Sequence, residues 1–405
     1  MEEVWRRNYL NEILKFKDQD VIKIITGIRR CGKSTLLFQY MQMLKDSGVD
    51  PDNILYFNME SMRNDRFRDG KALYDEIRSK KNTEKIYIII DEVQFINGWE
   101  RVVNSLKIDL DCDIYVTGSN AYMLSTEIST LLTGRNVEIG VLPLSYNEFC
   151  ILNDKESERT RLFDSYLHYG GMPFIRPDYS EEVIFQRLDE IRSDIILKDI
   201  CSRKERIDSV KVRKVIDYMF SEIGNSISAG NIADSLKISP STASDYLNII
   251  TESLLFYRVE RYDLKGKTIL KTEAKYYCSD LGMRNTQPLK ADRDSGKVLE
   301  NLVYLELRRR GYRVYVGTIG QLEIDFIALK GEERKYIQVC QTLSNDETKK
   351  RELRPFRKIV GEGSRLLITA DPISITRTEE ATIQNIIDFL EESNRKSMSE
   401  DWGLS

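Results

Sequence analysis

The stretch Val21-Ile22-Lys23-Ile24-Ile25-Thr26-Gly27-Ile28-Arg29-Arg30-Cys31-Gly32-Lys33-Ser34-Thr35 decides how the first part of the chain is read. It opens as an apolar run of strand length. It closes on G-x-x-x-x-G-K-S, immediately before a segment of helical periodicity. Glycines let backbone N–H groups curl around phosphate oxygens, and a helix N-terminus adds the positive end of its dipole. In that setting Lys33 reaches the β- and γ-phosphates of a nucleotide, and Ser34 ligates Mg²⁺. Gly27 through Thr35 are the candidate phosphate cradle.

Downstream, strand-like runs at Val21–Thr26, Ile54–Met59, Ile86–Asp91, Asp113–Thr117 and Asn136–Val141 alternate with helical segments such as Ser34–Lys45 and Trp99–Leu106. Continuous apolar strands alternating with helices predict a parallel sheet covered on both faces. The third run, Ile86-Tyr87-Ile88-Ile89-Ile90-Asp91-Glu92, ends in two carboxylates. Asp91 is the candidate Mg²⁺ ligand. Glu92 is placed to polarise an attacking water, which favours an NTPase over a kinase. The fourth run ends Thr117-Gly118-Ser119-Asn120, where Asn120, with Ser119 beside it, is the candidate γ-phosphate sensor. Gly-Ser-Asn is equally a common turn composition. Arg135, just before the fifth run, reads either as an arginine finger reaching a neighbouring subunit or as a solvated surface residue.

Composition excludes several alternatives. The 405 residues predict two to four domains. The net charge of −4, from 61 basic and 65 acidic residues, leaves nucleic-acid binding to local patches. His168 is the single histidine, so a site needing two is excluded. The six cysteines form no C-x-x-C pair, which argues against structural zinc and for reduced thiols. With no apolar stretch of spanning length and no signal-peptide pattern, a cytoplasmic protein without membrane association is expected.

Beyond residue 145 the strand signal fades. Glu158–Tyr169 and Ser180–Asp199 read as helices, separated by Gly170-Gly171-Met172-Pro173. Three further helices follow (Val210–Gly224, Ala229–Leu236, Pro240–Glu252), then strand-like runs at Leu255–Tyr262 and Thr268–Cys278 joined by Lys265-Gly266-Lys267. The last hundred residues read as a helix (Lys297–Arg310), four strands (Tyr312–Val316, Glu323–Ala328, Tyr336–Cys340, Arg365–Thr369) and a final helix, Thr378–Glu391.

Gly27-Ile-Arg-Arg-Cys-Gly-Lys-Ser34, Asp91-Glu-Val-Gln94, Thr117-Gly-Ser-Asn-Ala121 and Leu142-Pro-Leu-Ser-Tyr-Asn-Glu-Phe149 together resemble the AAA-type (AAA+) ATPases of bacteria and archaea. The resemblance covers nearly the whole chain. It implies an α/β fold with a parallel sheet in the order 5-1-4-3-2 over residues 1–145. A helical lid (146–206), a winged helix-turn-helix (207–285), an endonuclease-like domain (290–395) and a flexible tail (396–405) would follow. Gly171-Met172-Pro173 resembles the Gly-x-Pro of signalling-type (STAND) ATPases, in which the proline lies against the nucleotide base. A plain helix breaker is the other reading.

In the winged-helix segment Pro240–Glu252 is the candidate recognition helix and Lys265-Gly266-Lys267 the wing tip. Arg203, Lys204, Arg206, Lys211, Arg213 and Lys214 surround it, and Ser241 and Thr242 are exposed at the helix start. The helix has no arginine or lysine to read a guanine edge, so any DNA contact would be mainly to phosphates through Arg213, Lys214, Ser241, Thr242, Lys265 and Lys267. The C-terminal segment resembles the PD-(D/E)xK nuclease fold. In that pattern a helix bears Glu300, a strand ends in Glu323-Ile324-Asp325 and another carries Gln338-Val339-Cys340. Glu300 and Asp325 match its acids, Gln338 replaces the second strand acid, and Cys340 replaces the lysine. That set implies a folded but catalytically silent site, whose acids pair with Arg308-Arg309-Arg310 or Lys349-Lys350-Arg351. The implied activity is hydrolysis of ATP with Mg²⁺, coupled to DNA binding or remodelling by a homo-oligomer, for instance a ring on recombination or repair intermediates. A STAND-like ATP switch acting on a protein partner is the alternative, and a metal-dependent nuclease the weaker one.

Overall fold

The computed structural model describes residues 4–80, 84–120, 131–132, 134–153, 159–176, 178–203, 207–287 and 295–397. The chain divides into two compact units, one built chiefly on Met1–Pro143 and the other on Leu144–Glu400.

The first unit is a parallel sheet of five strands: β1 (Ile22–Thr26), β2 (Ile54–Asn58), β3 (Ile86–Asp91), β4 (Cys112–Gly118) and β5 (Asn136–Gly140). Their spatial order, β5-β1-β4-β3-β2, is the expected 5-1-4-3-2. Every residue of β3 is buried, because helices cover both faces. On one face Ile22, Ile24, Ile88, Ile90, Ile114 and Val116 share a core with α3 (Gly70–Ser79) and α4 (Trp99–Asp109). On the other, Tyr40 of α2 (Lys33–Asp46) meets Tyr115 of β4, ring centroids 4.8 Å apart. Each fully buried Ile or Leu here contributes roughly 1.5–3 kcal/mol. A short helix, α1 (Arg7–Lys15), precedes the sheet. Among the described residues no helix is long and apolar enough to cross a membrane.

The second unit begins with α5 (Tyr146–Leu152), opened by a capping box in which Ser145 and Glu148 satisfy each other's backbone N–H groups. Next come α6 (Arg159–Tyr169) and α7 (Glu181–Asp194), the latter running into a π-helical turn over Ile195–Ile200. Then follow α8 (Ser209–Ser221), β6 (Ser226–Ile227), α9 (Ala229–Leu236), α10 (Pro240–Glu252), β7 (Phe256–Asp263), β8 (Thr268–Cys278) and the short α11 (Leu281–Asn285). The C-terminal elements are α12 (Ser295–Arg309), β9 (Arg313–Ile319), β10 (Leu322–Lys330), β11 (Glu333–Cys340), α13 (Asp346–Leu353), β12 (Ser364–Thr369), β13 (Thr376–Arg377), β14 (Thr382–Asn385) and α14 (Ile386–Ser397). One nine-stranded sheet, β13-β14-β12-β11-β10-β9-β7-β8-β6, joins residues 226 to 385. The joint is the parallel pair β7–β9, with Arg261 opposite Val316.

Two expectations are corrected. The segment 378–391 is not one helix. Thr382–Asn385 forms β14, parallel to β12, with Ile383 opposite Leu367, and Ile383 is buried. The Asn385 side chain then accepts from the Ile387 N–H (2.8 Å) and starts α14 only at Ile386. Glu323-Ile324-Asp325 begins strand β10 rather than ending one, and the pairing with β9 shifts register between Ile324 and Ile327. Of the expected tail, residues 398–405 lie outside the described residues.

Candidate functional site

In parallel α/β sheets, ligands bind beyond the carboxyl ends of the strands. Register brings four such ends level here: Thr26 of β1 is paired with Gly118 of β4, Asn58 of β2 with Asp91 of β3, and Ile90 of β3 with Val116 of β4. The phosphate-loop motif leaves β1 at Gly27 and enters α2 at Lys33. Gly27 must be glycine, because a Cβ would lie 2.3 Å from the Val141 carbonyl and 2.8 Å from Cys31 Sγ. Gly32 caps α2 with a left-handed φ of 103°, which favours glycine. Lys33 Nζ donates to the Gly27 carbonyl (3.0 Å) and lies 3.6 Å from Glu92 Oε1. Arg29 is nearly buried and reaches Glu60 at 3.1 Å. Arg30 and Thr35 are exposed, while Cys31 and Ile28 are buried. Burial pushes the Cys31 thiol upward, so it remains protonated.

Asp91 is 1% exposed. One carboxylate oxygen accepts from Thr117 Oγ1 (2.5 Å) and the other from the Tyr56 hydroxyl (3.0 Å). Burial, then the Asp91 charge, holds the Tyr56 phenol well above its usual range and keeps it a donor. Thr117 Oγ1 also accepts from the Glu92 N–H at 2.9 Å. Glu92 has a left-handed φ of 59°, which turns the chain sharply after the strand. Its carboxylate accepts from Gln94 Nε2 (2.5 Å). Lys33, Asp91, Glu92 and Thr117 are thus one connected group.

Ser119 and Asn120 continue from β4, Ser119 buried and Asn120 half-buried. The β4 residue that touches Asp91 is Thr117, which the sequence reading passed over. Its signal was available: in the order 5-1-4-3-2 strands 4 and 3 are neighbours, so their terminal side chains meet. Arg135 precedes β5 with its side chain 60% exposed, 3.8 Å from Asp20. Pro173 belongs to the second unit, in a turn where the Arg176 guanidinium donates to its carbonyl (2.9 Å). That turn is tied down: Asp280 accepts from the Gly171 N–H (2.7 Å), and Asn285 donates to the Leu167 and His168 carbonyls (2.9 Å each).

Of the proposed DNA contacts, Lys265 and Lys267 are exposed at the β7–β8 tip, and Ser241 is exposed on α10. Thr242 shares a hydrogen bond with Ser239 Oγ (2.8 Å). Lys214 and Lys211 are exposed, whereas Arg213 turns back to Ser193 Oγ at 3.1 Å. Lys204 and Arg206 lie outside the described residues.

The nuclease-like set does come together, but not with the expected partners. Glu300, Asp325, Gln338 and Cys340 are all buried. Gln338 Oε1 accepts from the Asp325 N–H (2.7 Å), and Asp325 accepts from the Val339 N–H (2.9 Å). Glu300 pairs with Lys297 (2.6 Å) and Lys275 (3.6 Å), not with the 308–310 or 349–351 runs. Lys275 also pairs with Glu323 (2.6 Å), which in turn meets Arg261 (2.6 Å). Lys275, on β8, was invisible to a linear search because it is 25 residues before Glu300. Burial, reinforced by Glu300, raises the Asp325 carboxyl to about 8. Burial raises the Cys340 thiol to about 12. Among the described residues no group of three or more His, Cys, Asp or Glu is arranged to hold a metal ion.

Residues 19–150 match the family described as AAA domain, and residues 160–294 match a domain of unknown function. An uncharacterized protein of Haemophilus influenzae is 37% identical over 95% of this chain and 98% of its own. The Methanocaldococcus jannaschii protein MJ1544 is 31% identical, over 84% of this chain and 78% of its own. Among solved structures, Aeropyrum pernix ORC1 in complex with DNA aligns at TM-score 0.30 and 11% identity, over 70% of this chain and 92% of that one. AMPPCP-bound DnaA from Aquifex aeolicus aligns at TM-score 0.31 and 15% identity, over 60% and 86%. Superposition that loose transfers no role. The near-full-length relatives do establish kinship, and the chain belongs to the family of AAA-domain proteins that includes the Haemophilus influenzae and Methanocaldococcus jannaschii relatives.

Proposed function

We propose that this protein hydrolyses ATP with Mg²⁺ at the carboxyl edge of the five-stranded sheet and couples the cycle to DNA. The observation that carries the first part is the connected group of Lys33, Asp91, Glu92 and Thr117 beside the Gly27–Ser34 loop. The donor set fits Mg²⁺, since a hydroxyl (Ser34) and a carboxylate (Asp91) are hard oxygen ligands. Bound Mg²⁺ would neutralise charge building on the phosphates. Loop amides bind the phosphates, Lys33 exchanges its Gly27 carbonyl contact for a phosphate oxygen, and Thr117 with Tyr56 fixes the Asp91 carboxylate. Glu92 orients water and accepts its proton, at the cost of its contact with Lys33. Arg135 is the candidate trans-acting arginine of a homo-oligomer, and Asn120 the γ-phosphate sensor.

For the coupled partner, the order α8-β6-α9-α10-β7-β8, with β8 between β6 and β7, supports a winged helix. The exposed Lys265 and Lys267 at its hairpin tip suit a phosphate backbone. The test is the ATPase rate with and without duplex DNA at two salt concentrations. Stimulation that fades at high salt, and that drops in Lys265→Ala/Lys267→Ala, is the expected result. An ATPase indifferent to DNA under all conditions overturns the DNA reading. One observation favours a second reading, an ATP switch acting on a protein: Asp280, just after β8, holds the Gly171-Met172-Pro173 turn by accepting from the Gly171 N–H.

A further inference from the structure

Arg6 stands just before α1, far in sequence from every phosphate-loop motif, and its side chain is almost wholly buried. A buried guanidinium is retained only where its donors meet acceptors. One nitrogen donates to the Cys31 carbonyl inside the phosphate loop (3.1 Å), and another to the Leu142 carbonyl just beyond β5 (2.8 Å). The guanidinium also lies over the Tyr9 ring, 4.7 Å from its centroid. The Tyr9 hydroxyl accepts from the Leu142 N–H (3.1 Å). Gln39 of α2 holds the backbone here, accepting from the Arg6 N–H (3.1 Å) and donating to the Val4 carbonyl (2.8 Å). Cys31 Sγ meets the Val141 carbonyl at 3.4 Å, on the same side of the loop.

A loop that turns amide N–H groups toward an anion must turn carbonyls the other way, and each buried carbonyl needs a donor. Arg6 is that donor for Cys31. It fastens the outer side of the loop to the segment leaving β5, where Gly27 already lies too close to Val141 for any side chain. We infer that Arg6 is a positioning residue for nucleotide binding, which shapes the phosphate loop from behind through the Cys31 carbonyl while touching neither nucleotide nor metal. The inference rests on the ATP-site reading above. Nucleotide affinity then depends on residues 4–9, which contain no phosphate-binding motif.

The test uses the full-length chain, with the KM for ATP, kcat and thermal midpoint measured for wild type, Arg6→Ala, Arg6→Lys, Tyr9→Phe and Lys33→Ala. Arg6→Ala should raise KM about tenfold, the scale of losing charged hydrogen bonds, with kcat within about twofold. Arg6→Lys should recover part of that, since one ammonium restores a donor without the two-pronged reach. Tyr9→Phe, which should fold even if Arg6→Ala does not, should raise KM by a smaller factor. An Arg6→Ala protein with a lower thermal midpoint but parental KM overturns the inference, as does parental KM in both Arg6→Lys and Tyr9→Phe. Loss of nucleotide binding in Lys33→Ala alongside an unchanged KM in the Arg6 variants defeats this inference alone. Unchanged binding in Lys33→Ala defeats the ATP-site reading and this inference with it.

Discussion

Both units hold a group of carboxylates beside a lysine, and they treat its charge in opposite ways. At the end of β3, Asp91 is held by two hydroxyls, which orient its charge without cancelling it. Lys33, the nearby cation, is shared between Glu92 and a backbone carbonyl. Beneath β8 and β10, Glu300 and Glu323 are matched by Lys275, Lys297 and Arg261, while the Asp325 carboxyl is pushed up to about 8 by burial and Glu300. The first arrangement leaves negative charge oriented at a strand end, where the proposed cation and nucleotide would bind. The second is balanced by the chain's own bases. Buried acids therefore mark a reactive centre only where their counter-charges are missing or exchangeable.

The largest expected effect tests the closed cluster. Lys275→Met should leave Glu300 and Glu323 without their shared ammonium and cost about 3–5 kcal/mol of stability, measured by denaturant unfolding. ATP affinity should be unchanged, and DNA incubated with Mg²⁺ or Mn²⁺ should stay intact in wild type. Cleavage lost in Asp325→Ala but kept in Lys33→Ala would make the second cluster a working centre and erase the contrast.

A smaller effect sharpens the role of buried acids elsewhere in the second unit. Burial raises the Asp280 carboxyl to about 6, although the Gly171 and Met283 N–H groups it accepts from oppose the shift. An unfolded aspartate titrates near ~3.9. Between these values the folded chain keeps a proton that the unfolded chain releases, so this contribution is most favourable below about pH 4 and lost as pH rises to about 6. The loss amounts to about 3 kcal/mol. The difference in unfolding free energy between wild type and Asp280→Asn should therefore fall with pH across that window. A difference that is flat, or that rises, rejects the assignment.

The smallest effect concerns orientation in the first cluster. Thr117→Val keeps the shape of the side chain but removes the hydroxyl serving Asp91 and the Glu92 N–H. A roughly tenfold fall in ATP turnover is expected, from one lost hydrogen bond to a charged group, with little change in secondary structure by circular dichroism. Unchanged turnover would mean that Thr117 only fills space.

Local chemistry was the legible part of the sequence. Gly27–Ser34 and Asp91-Glu92 carry their meaning in neighbouring residues, and apolar runs announced all five strands of the first sheet. Residues acting across the fold were harder to read. Arg6 and Lys275 work through partners 25 residues away, Cys31 and Glu300, and the pattern around either one resembles an ordinary surface or strand position. Thr117 was overshadowed by the more polar Asn120, because only strand adjacency reveals which side chain meets Asp91. The run 378–385 reads as helix because four residues of β14 are too short for alternation to show, and the sheet edge offered by β12 overrides local preference.

The most direct test of the central claim is nucleotide binding and phosphate release in Glu92→Gln. The substitution keeps side-chain shape and hydrogen bonding but removes the negative charge proposed to take a proton from water. The account predicts ATP affinity close to wild type and phosphate release slowed by at least about a hundredfold. Release at the parental rate, with binding intact, would contradict it.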